Sequence, residues 1–313
     1  MNVERIKLGL VGVGKIARDQ HLPAIAADPR FELVATASPH GEVEGVAAYP
    51  DLDALIGAGR GLDAIVFCTP PAVRAPLAHR ALEAGLHVLL EKPPASALSQ
   101  VERLCSAAAR AGVCLFTSWH ARESAAVDAA SAWLAQRRIE AVRVNWREDV
   151  RQWHPGQDWL LAAGGFGVFD PAINALSILT RMLPGALALE AADLHVPANR
   201  AMPMRADLTI SHDGAPIVRC GLDILHQGHQ QWDIEVETSD GLLVLGAGGH
   251  ALTLAGEMWP VAENREYPRL YERFAQLIDT GQSDVDVRPL VLVADALMLG
   301  VRHSIDPFEF QAP

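Results

Sequence analysis

The stretch Ile6-Lys7-Leu8-Gly9-Leu10-Val11-Gly12-Val13-Gly14-Lys15-Ile16-Ala17 decides the fold of the N-terminal part of this chain. A short apolar run gives way to two glycines and then to a helical pattern: strand, tight turn, helix. The turn fits G-x-G-x-x-A, a dinucleotide-binding fingerprint with alanine in its last place. Gly12 permits the sharp turn, Gly14 lets the backbone come close to a pyrophosphate, and Ala17 keeps the helix near the sheet. Phosphates would rest on the free N–H groups at the helix N-terminus, around Lys15 and Ile16. A second strand-like segment, Phe31 to Ala37, follows at the distance such a unit needs.

Strand-like and helix-like stretches continue to alternate up to residue 120. Leu62 to Cys68 is an apolar run closed by Thr69-Pro70-Pro71. Helical spacing covers Val73 to Ala84, with Gly85 as its stop. Leu86 to Leu90 is a strand, Leu98 to Ala111 a helix, and Val113 to Ser118 a strand. Buried strands alternating with helices imply βαβ units and a parallel sheet.

Beyond residue 122 the texture changes. A helix over Glu123 to Gln136 leads to an alternating segment, Ala141 to Trp146. A loop rich in Trp, Gly and His and a helix from Pro171 to Arg181 come next. Alternating segments then dominate at Leu208 to Ser211, Ile217 to Asp223, Gln231 to Thr238 and Leu242 to Leu245. Thr238-Ser239-Asp240-Gly241 reads as a hairpin turn. Tyr267 to Asp279 and Pro289 to Ser304 read as closing helices. The expected organisation is an α/β chain in two domains. Residues 1–121 form a dinucleotide-binding Rossmann domain. Residues 122–313 form an α+β domain with a largely antiparallel open sheet.

Composition bounds the function. The chain has 313 residues and a net charge of −12, with half its residues hydrophobic and a fifth charged. That length exceeds what one core usually serves. Basic residues do not cluster, which argues against nucleic acid as a partner. No apolar run approaches the roughly 20 residues needed to span a bilayer. The N-terminus lacks the order of a signal peptide. The four cysteines have no metal-like spacing, so no metal is expected, and the cytoplasm is the simplest compartment.

Lysine is scarce: three lysines stand against 23 arginines. One of the three, Lys92, closes an apolar strand in His87-Val88-Leu89-Leu90-Glu91-Lys92-Pro93-Pro94. Lysine can take and give a proton when partly desolvated, whereas arginine stays charged. A lysine at the mouth of an α/β sheet is therefore a candidate catalytic group.

Three pieces of the chain, Gly12-x-Gly14-x-x-Ala17, Cys68-Thr69-Pro70-Pro71 and Ala81-Leu82-Glu83-Ala84-Gly85-Leu86-His87-Val88-Leu89-Leu90-Glu91-Lys92-Pro93, together resemble the glucose-fructose oxidoreductase / inositol dehydrogenase-like family. The Glu-Lys-Pro turn is the most specific of them. The resemblance implies a Rossmann domain followed by an α/β domain whose open sheet binds substrate and mediates homo-oligomers, and oxidation of sugar or polyol carbons with NAD or NADP. It implies cofactor contacts at Gly12, Gly14, Lys15, Ile16, Thr69, Pro70, Glu91 and Lys92, and a cis bond between Lys92 and Pro93. The second strand ends Ala37-Ser38-Pro39-His40, with no carboxylate to select NAD. Ser38 can bond a ribose hydroxyl or a 2′-phosphate and His40 can assist a phosphate, so both cofactors are expected to be accepted.

The resemblance continues through Gly164-Gly165 and Asp170. Phe169-Asp170-Pro171-Ala172-Ile173-Asn174 opens a helix, and locally Asp170 also suits an N-cap. Asp170 and Asn174 are four apart and share a helix face. The family usually has a histidine where this chain has Asn174, and asparagine takes no proton at neutral pH. Either Asp170 or Lys92 must then relay it. The chain resembles in particular the bacterial aldose 1-dehydrogenases acting on L-arabinose and D-galactose, which carry Lys, Asp and Asn at these places. The two sugars share the configuration of carbons two to four. Glu148, Trp153, His154 and Trp232, with His120 after the sixth strand, are the expected sugar contacts, since indole faces cover C–H surfaces and the polar groups bond hydroxyls. The competing readings are another sugar or inositol dehydrogenase of the family, and a non-catalytic NAD(P)-binding regulator.

Overall fold

The computed structural model describes residues 5–39 and 41–310. The chain divides into two compact units. One comprises the chain up to His120 together with Glu266–Val287, and the other comprises Ala121–Arg265 with the chain from Arg288 onward.

The first unit is built on β1 (Ile6–Val11), β2 (Phe31–Ala37), β3 (Ala47–Tyr49), β4 (Ala64–Phe67), β5 (His87–Glu91) and β6 (Leu115–Ser118). Among the described residues these form one parallel sheet in the order β3-β2-β1-β4-β5-β6. The order reverses beside β1, and in open α/β sheets ligands bind at such a switch point. Its helices are α1 (Leu22–Ala27), α2 (Leu52–Gly57), α3 (Pro71–Glu83) and α4 (Leu98–Ala111). Every residue of β4 is buried, as a strand covered on both faces requires. Gly112 ends α4 at φ 68°, the left-handed C-terminal conformation that glycine adopts without strain.

A helix from far along the sequence completes this unit. In α8 (Glu266–Thr280), Tyr267, Leu270, Tyr271, Phe274 and Leu277 recur at helical spacing, and all are buried. They join Leu8, Leu10, Val66, Leu89 and Phe116 of the sheet in one core. The sequence placed this helix with the second domain. Local periodicity reveals that it has an apolar stripe but not which sheet the stripe covers.

The second unit contains α5 (Val127–Leu134), β7 (Ile139–Arg147), α6 (Val150–Trp153), α7 (Phe169–Met182), β8 (Leu187–Pro197), β9 (Arg205–His212), β10 (Ala215–Asp223), β11 (Gln231–Thr238), β12 (Gly241–Gly246), β13 (Ala251–Leu254), β14 (Glu257–Trp259), α9 (Arg288–Leu299) and β15 (Val301–Ile305). Its strands form a sheet in the order β14-β13-β12-β11-β7-β10-β9-β8-β15. Pairing is antiparallel except at β7–β10 and β8–β15. The hairpin turn stands as expected, with Thr238 opposite Gly241. Residues 300–304 differ from the sequence reading: the helix stops at Leu299 and β15 adds an edge strand. The nearly continuous apolar run from Pro289 hides that change of period.

Val142, Val144 and Trp146 of β7 point into the core, while Arg143 is exposed and pairs with Glu235 of β11 at 2.8 Å. His303 of β15 likewise meets Asp193 of β8 at 2.7 Å. Among the described residues no helix is long and apolar enough to cross a membrane.

Candidate active site

The first half of the site lies at the C-terminal ends of β1, β4 and β5. Gly12 has φ 95°, and a Cβ there would lie 3.1 Å from the Cys68 carbonyl carbon and the Thr69 nitrogen. Only glycine lets the turn after β1 press so closely on the turn after β4. Gly14 is the opposite case, since a Cβ there would meet nothing within 4 Å. That open cradle fits an approaching pyrophosphate. Lys15 and Ile16 open the helical turn that follows, and the Lys15 ammonium is paired with Asp19. Thr69 precedes α3, with Pro70 in the N-cap position. The Thr69 hydroxyl is buried with no partner among the described residues.

Ser38 follows β2 and donates its backbone N–H to Tyr49 at 3.1 Å. His40 lies outside the described residues. The fold brings an arginine to this loop: Arg18 donates to the Glu42 carbonyl at 3.1 Å.

The Glu-Lys-Pro turn closes β5. The Lys92–Pro93 bond is cis, as expected. Sequence reading places Glu91 among the cofactor contacts, but in the structure its carboxylate is fully engaged by the protein. Oε1 accepts from His21 Nε2 at 3.0 Å and from the Tyr267 hydroxyl at 2.9 Å, while Oε2 accepts from the Lys92 backbone N–H at 2.9 Å. His21 Nδ1 meets the Tyr271 hydroxyl at 2.8 Å. His21 ends a π-helical turn, Ala17–His21, and is fully buried. Such turns are frequent at functional sites. Buried Arg74 of α3 donates to the backbone carbonyls of Thr69, Glu91 and Pro93.

Burial alone would push the Glu91 carboxyl up, yet the hydrogen bond and charge of His21, with His120 and Lys92 nearby, hold it well below the usual carboxylate range. Burial would likewise push His21 down, but Cys68, Tyr271 and Glu91 carry it well above its ordinary value. Both directions favour an ion pair, in which His21 donates from both nitrogens. Burial raises Tyr271 to about 12. His120, an expected sugar contact, is engaged within this unit: Nδ1 meets Glu266 at 2.8 Å, and its ring stacks 5.5 Å from that of Tyr267.

The second unit carries the remaining candidates. Asp170 and Asn174 lie one turn apart on α7, and Asp170 is buried. Asp170 is not the helix cap that local sequence suggested. The helix begins two residues earlier than such a cap implies, with Val168 as N-cap and no side-chain cap bond. Gly165 and Gly167 serve the chain itself, since a Cβ on Gly165 would lie 2.4 Å from the Trp159 and Leu160 carbonyls and one on Gly167 2.2 Å from that of Pro203.

Glu148 follows β7 and is buried. Its Oε2 accepts from Trp232 Nε1 at 2.9 Å, and Oε1 lies 3.5 Å from His154 Nε2. The Trp232 ring lies 5.2 Å from that of Trp153 and 6.2 Å from that of Trp146. Among the described residues the indole N–H groups of Trp146 and Trp153 find no acceptor. The structure thus joins Glu148, Trp153, His154 and Trp232 in one polar-aromatic cluster. Among the described residues no set of three or more His, Cys, Asp or Glu is arranged to hold a metal ion.

Sequence reading missed Arg74, His21, Tyr267 and Tyr271. Two of the chain's three tyrosines stand one helical turn apart at 267 and 271, which was a usable signal.

Residues 6–118 match the oxidoreductase family with an NAD-binding Rossmann fold. The chain is 44% identical over 309 residues to galactose 1-dehydrogenase of Pseudomonas fluorescens, covering 98% of this chain and 99% of that one. The chain belongs to this family. The crystal structure of a D-galactose-1-dehydrogenase protein from Rhizobium etli superposes with a TM-score of 0.94 at 48% identity, covering 99% of each chain. A 3-ketoreductase from Actinomadura kijaniata, crystallised with NADP, shares the fold at a TM-score of 0.86 and 20% identity, covering 96% of this chain and all of that one. The protein is an NAD-binding oxidoreductase acting on CH–OH.

Proposed function

We propose that this oxidoreductase is an NAD(P)-dependent aldose 1-dehydrogenase, oxidising the anomeric carbon of D-galactose- and L-arabinose-type sugars to the aldonolactone. The observation that carries the reading is the full-length likeness to galactose 1-dehydrogenase, at 44% identity over 98% of the chain. The chemistry of the polar-aromatic cluster supports it. A buried carboxylate with accepting capacity to spare suits sugar hydroxyls, and indole faces suit the C–H surface of a pyranose.

Each residue takes one role. Glu148 and His154 bind ring hydroxyls, Trp153 and Trp232 cover the apolar face, and His120 adds a further polar contact. Lys92 and Asn174 hold the anomeric hydroxyl. Asp170 accepts its proton, since asparagine at 174 cannot. The nicotinamide, when bound, supplies the hydride acceptor, leaving carbon one as the lactone carbonyl. Gly12, Gly14, Lys15, Ile16, Ser38, Thr69 and Pro70 hold the cofactor. Both NAD and NADP serve, because β2 ends without a carboxylate and Arg18 lies beside the loop that follows. The enzyme works in the cytoplasm and assembles through its nine-stranded sheet.

The test is steady-state oxidation of an aldose panel with NAD+ and NADP+ in parallel, followed by absorbance of the reduced cofactor and by lactone formation. D-Galactose and L-arabinose should be oxidised, and glucose, inverted at carbon four, much more slowly. Turnover of an inositol or keto-sugar without turnover of aldoses would sink the reading.

A further inference from the structure

Glu91 faces the protein interior one residue before the proposed catalytic lysine, and its carboxylate ties the Lys92 backbone on one oxygen to buried side chains on the other. On one side its Oε2 accepts the Lys92 amide N–H at 2.9 Å. On the other, Arg74 grips the carbonyls of Glu91 and Pro93. The Glu91 side chain cannot swing, because His21 and Tyr267 hold Oε1 at 3.0 and 2.9 Å. Tyr271 in turn holds His21 at 2.8 Å. All of these side chains except Tyr267 and Tyr271 come from the N-terminal part of the chain. The two tyrosines arrive on α8, after the chain has left the unit at residue 120 and returned at 266.

From this arrangement we infer that Tyr267, seconded by His21, is a positioning residue for Lys92. It fixes the Glu91 carboxylate, which fixes the Lys92 amide and so the direction of the lysine side chain. The inference rests on the proposed role of Lys92 in catalysis. Tyr267 touches neither sugar nor cofactor in this scheme. Its effect travels through a hydrogen bond to a buried carboxylate, where such bonds are strong and directional. Displacing a reacting group by about 1 Å costs up to ~10²-fold in rate, so loosening one of several ties should cost roughly tenfold.

The chain's own composition supplies a direct readout. With three lysines in all, reductive ¹³C-methylation gives three side-chain signals, assigned by changing Lys7, Lys15 and Lys92 to arginine in turn. Tyr267→Phe should move or broaden the Lys92 signal and leave those of Lys7 and Lys15 in place. On unmethylated enzyme the same change should lower kcat about tenfold, with the sugar KM within about twofold. Phe274→Leu, in the same helix and fully buried, serves as the structural control: it should lower Tm while leaving the Lys92 signal and kcat alone. If Tyr267→Phe lowers Tm but leaves the Lys92 signal and kcat as in the parent, the positioning role is overturned. A moved Lys92 signal in a protein whose Lys92→Ala variant still turns over at the parent rate would support the positioning role and defeat the catalytic reading of Lys92 instead.

Discussion

Glu91 and Glu148 are equally buried, each 3% exposed, yet they are finished differently. Glu91 takes three protein hydrogen bonds, from His21, Tyr267 and the Lys92 amide. Glu148 receives one bond from Trp232, with His154 at a looser 3.5 Å, and has tryptophan N–H groups without acceptors for neighbours. A carboxylate has about four accepting directions. One that the chain serves on three of these braces the chain. One that the chain leaves half-served can take a ligand's hydroxyls. The degree of satisfaction, more than burial, separates framework from binding site.

The strongest challenge to this contrast is Lys92→Ala. Loss of a positioned acid/base group should lower kcat/KM by ~10²-fold or more, with the fold intact by circular dichroism; a loss under tenfold would break the proposed chemistry. Glu148→Gln comes next. The amide still accepts from Trp232 but loses its charge, and charged hydrogen bonds contribute about 1.5–3 kcal/mol. Sugar KM should rise about tenfold or more with kcat nearly unchanged, the reverse of what Tyr267→Phe does. A change in kcat alone would place Glu148 with the framework.

The two glycines of the first turn sharpen the same distinction. Gly12→Ala forces a side chain at φ 95° against the turn after β4, so thermal unfolding should show a loss of about 1–3 kcal/mol. Gly14→Ala meets nothing in the chain; it should leave Tm alone and weaken cofactor affinity in a fluorescence titration.

The smallest effect concerns pH. The raised value of His21 contributes stability that is complete below its unfolded value near 6.5 and is lost as pH rises through the folded value. The lowered value of Glu91 contributes stability present above its unfolded value near 4.5 and lost as pH falls through the folded one. The stability gap between the parent and His21→Gln, measured by denaturant titration, should therefore be widest near about pH 5–6 and should narrow toward alkaline pH. A gap that does not vary with pH would show that the pair is not charged.

Much of this was legible in the sequence where the signal is local. The Gly12-to-Ala17 turn, α4 and β11 are read directly from glycine placement and periodicity. Lys92 stood out by composition, and its turn by the Glu-Lys-Pro pattern. What stayed hidden is what depends on distant partners. Glu91 read as a cofactor contact because nothing nearby in sequence shows that residues 21, 267 and 271 converge on it. Asp170 also suited a cap locally, yet the turn through Phe166 and Gly167 sets the helix start two residues earlier than side-chain preference suggests. The extra edge strand β15 escaped because Gly300 and Val301 prolong the apolar run of α9, and the exposed Arg302-His303-Ser304 that follows carries no apolar alternation to mark a strand.

The return of α8 bears on how such a protein can be rebuilt. A cut after residue 120 isolates a nucleotide-binding fragment lacking both tyrosines of the Glu91 cluster and part of its core. Grafting a new specificity onto this scaffold would therefore mean exchanging an internal cassette, residues 121–265, together with the terminal piece from Arg288, while keeping residues 266–287 with their parent. The linear order of the gene is a poor guide to its exchangeable parts.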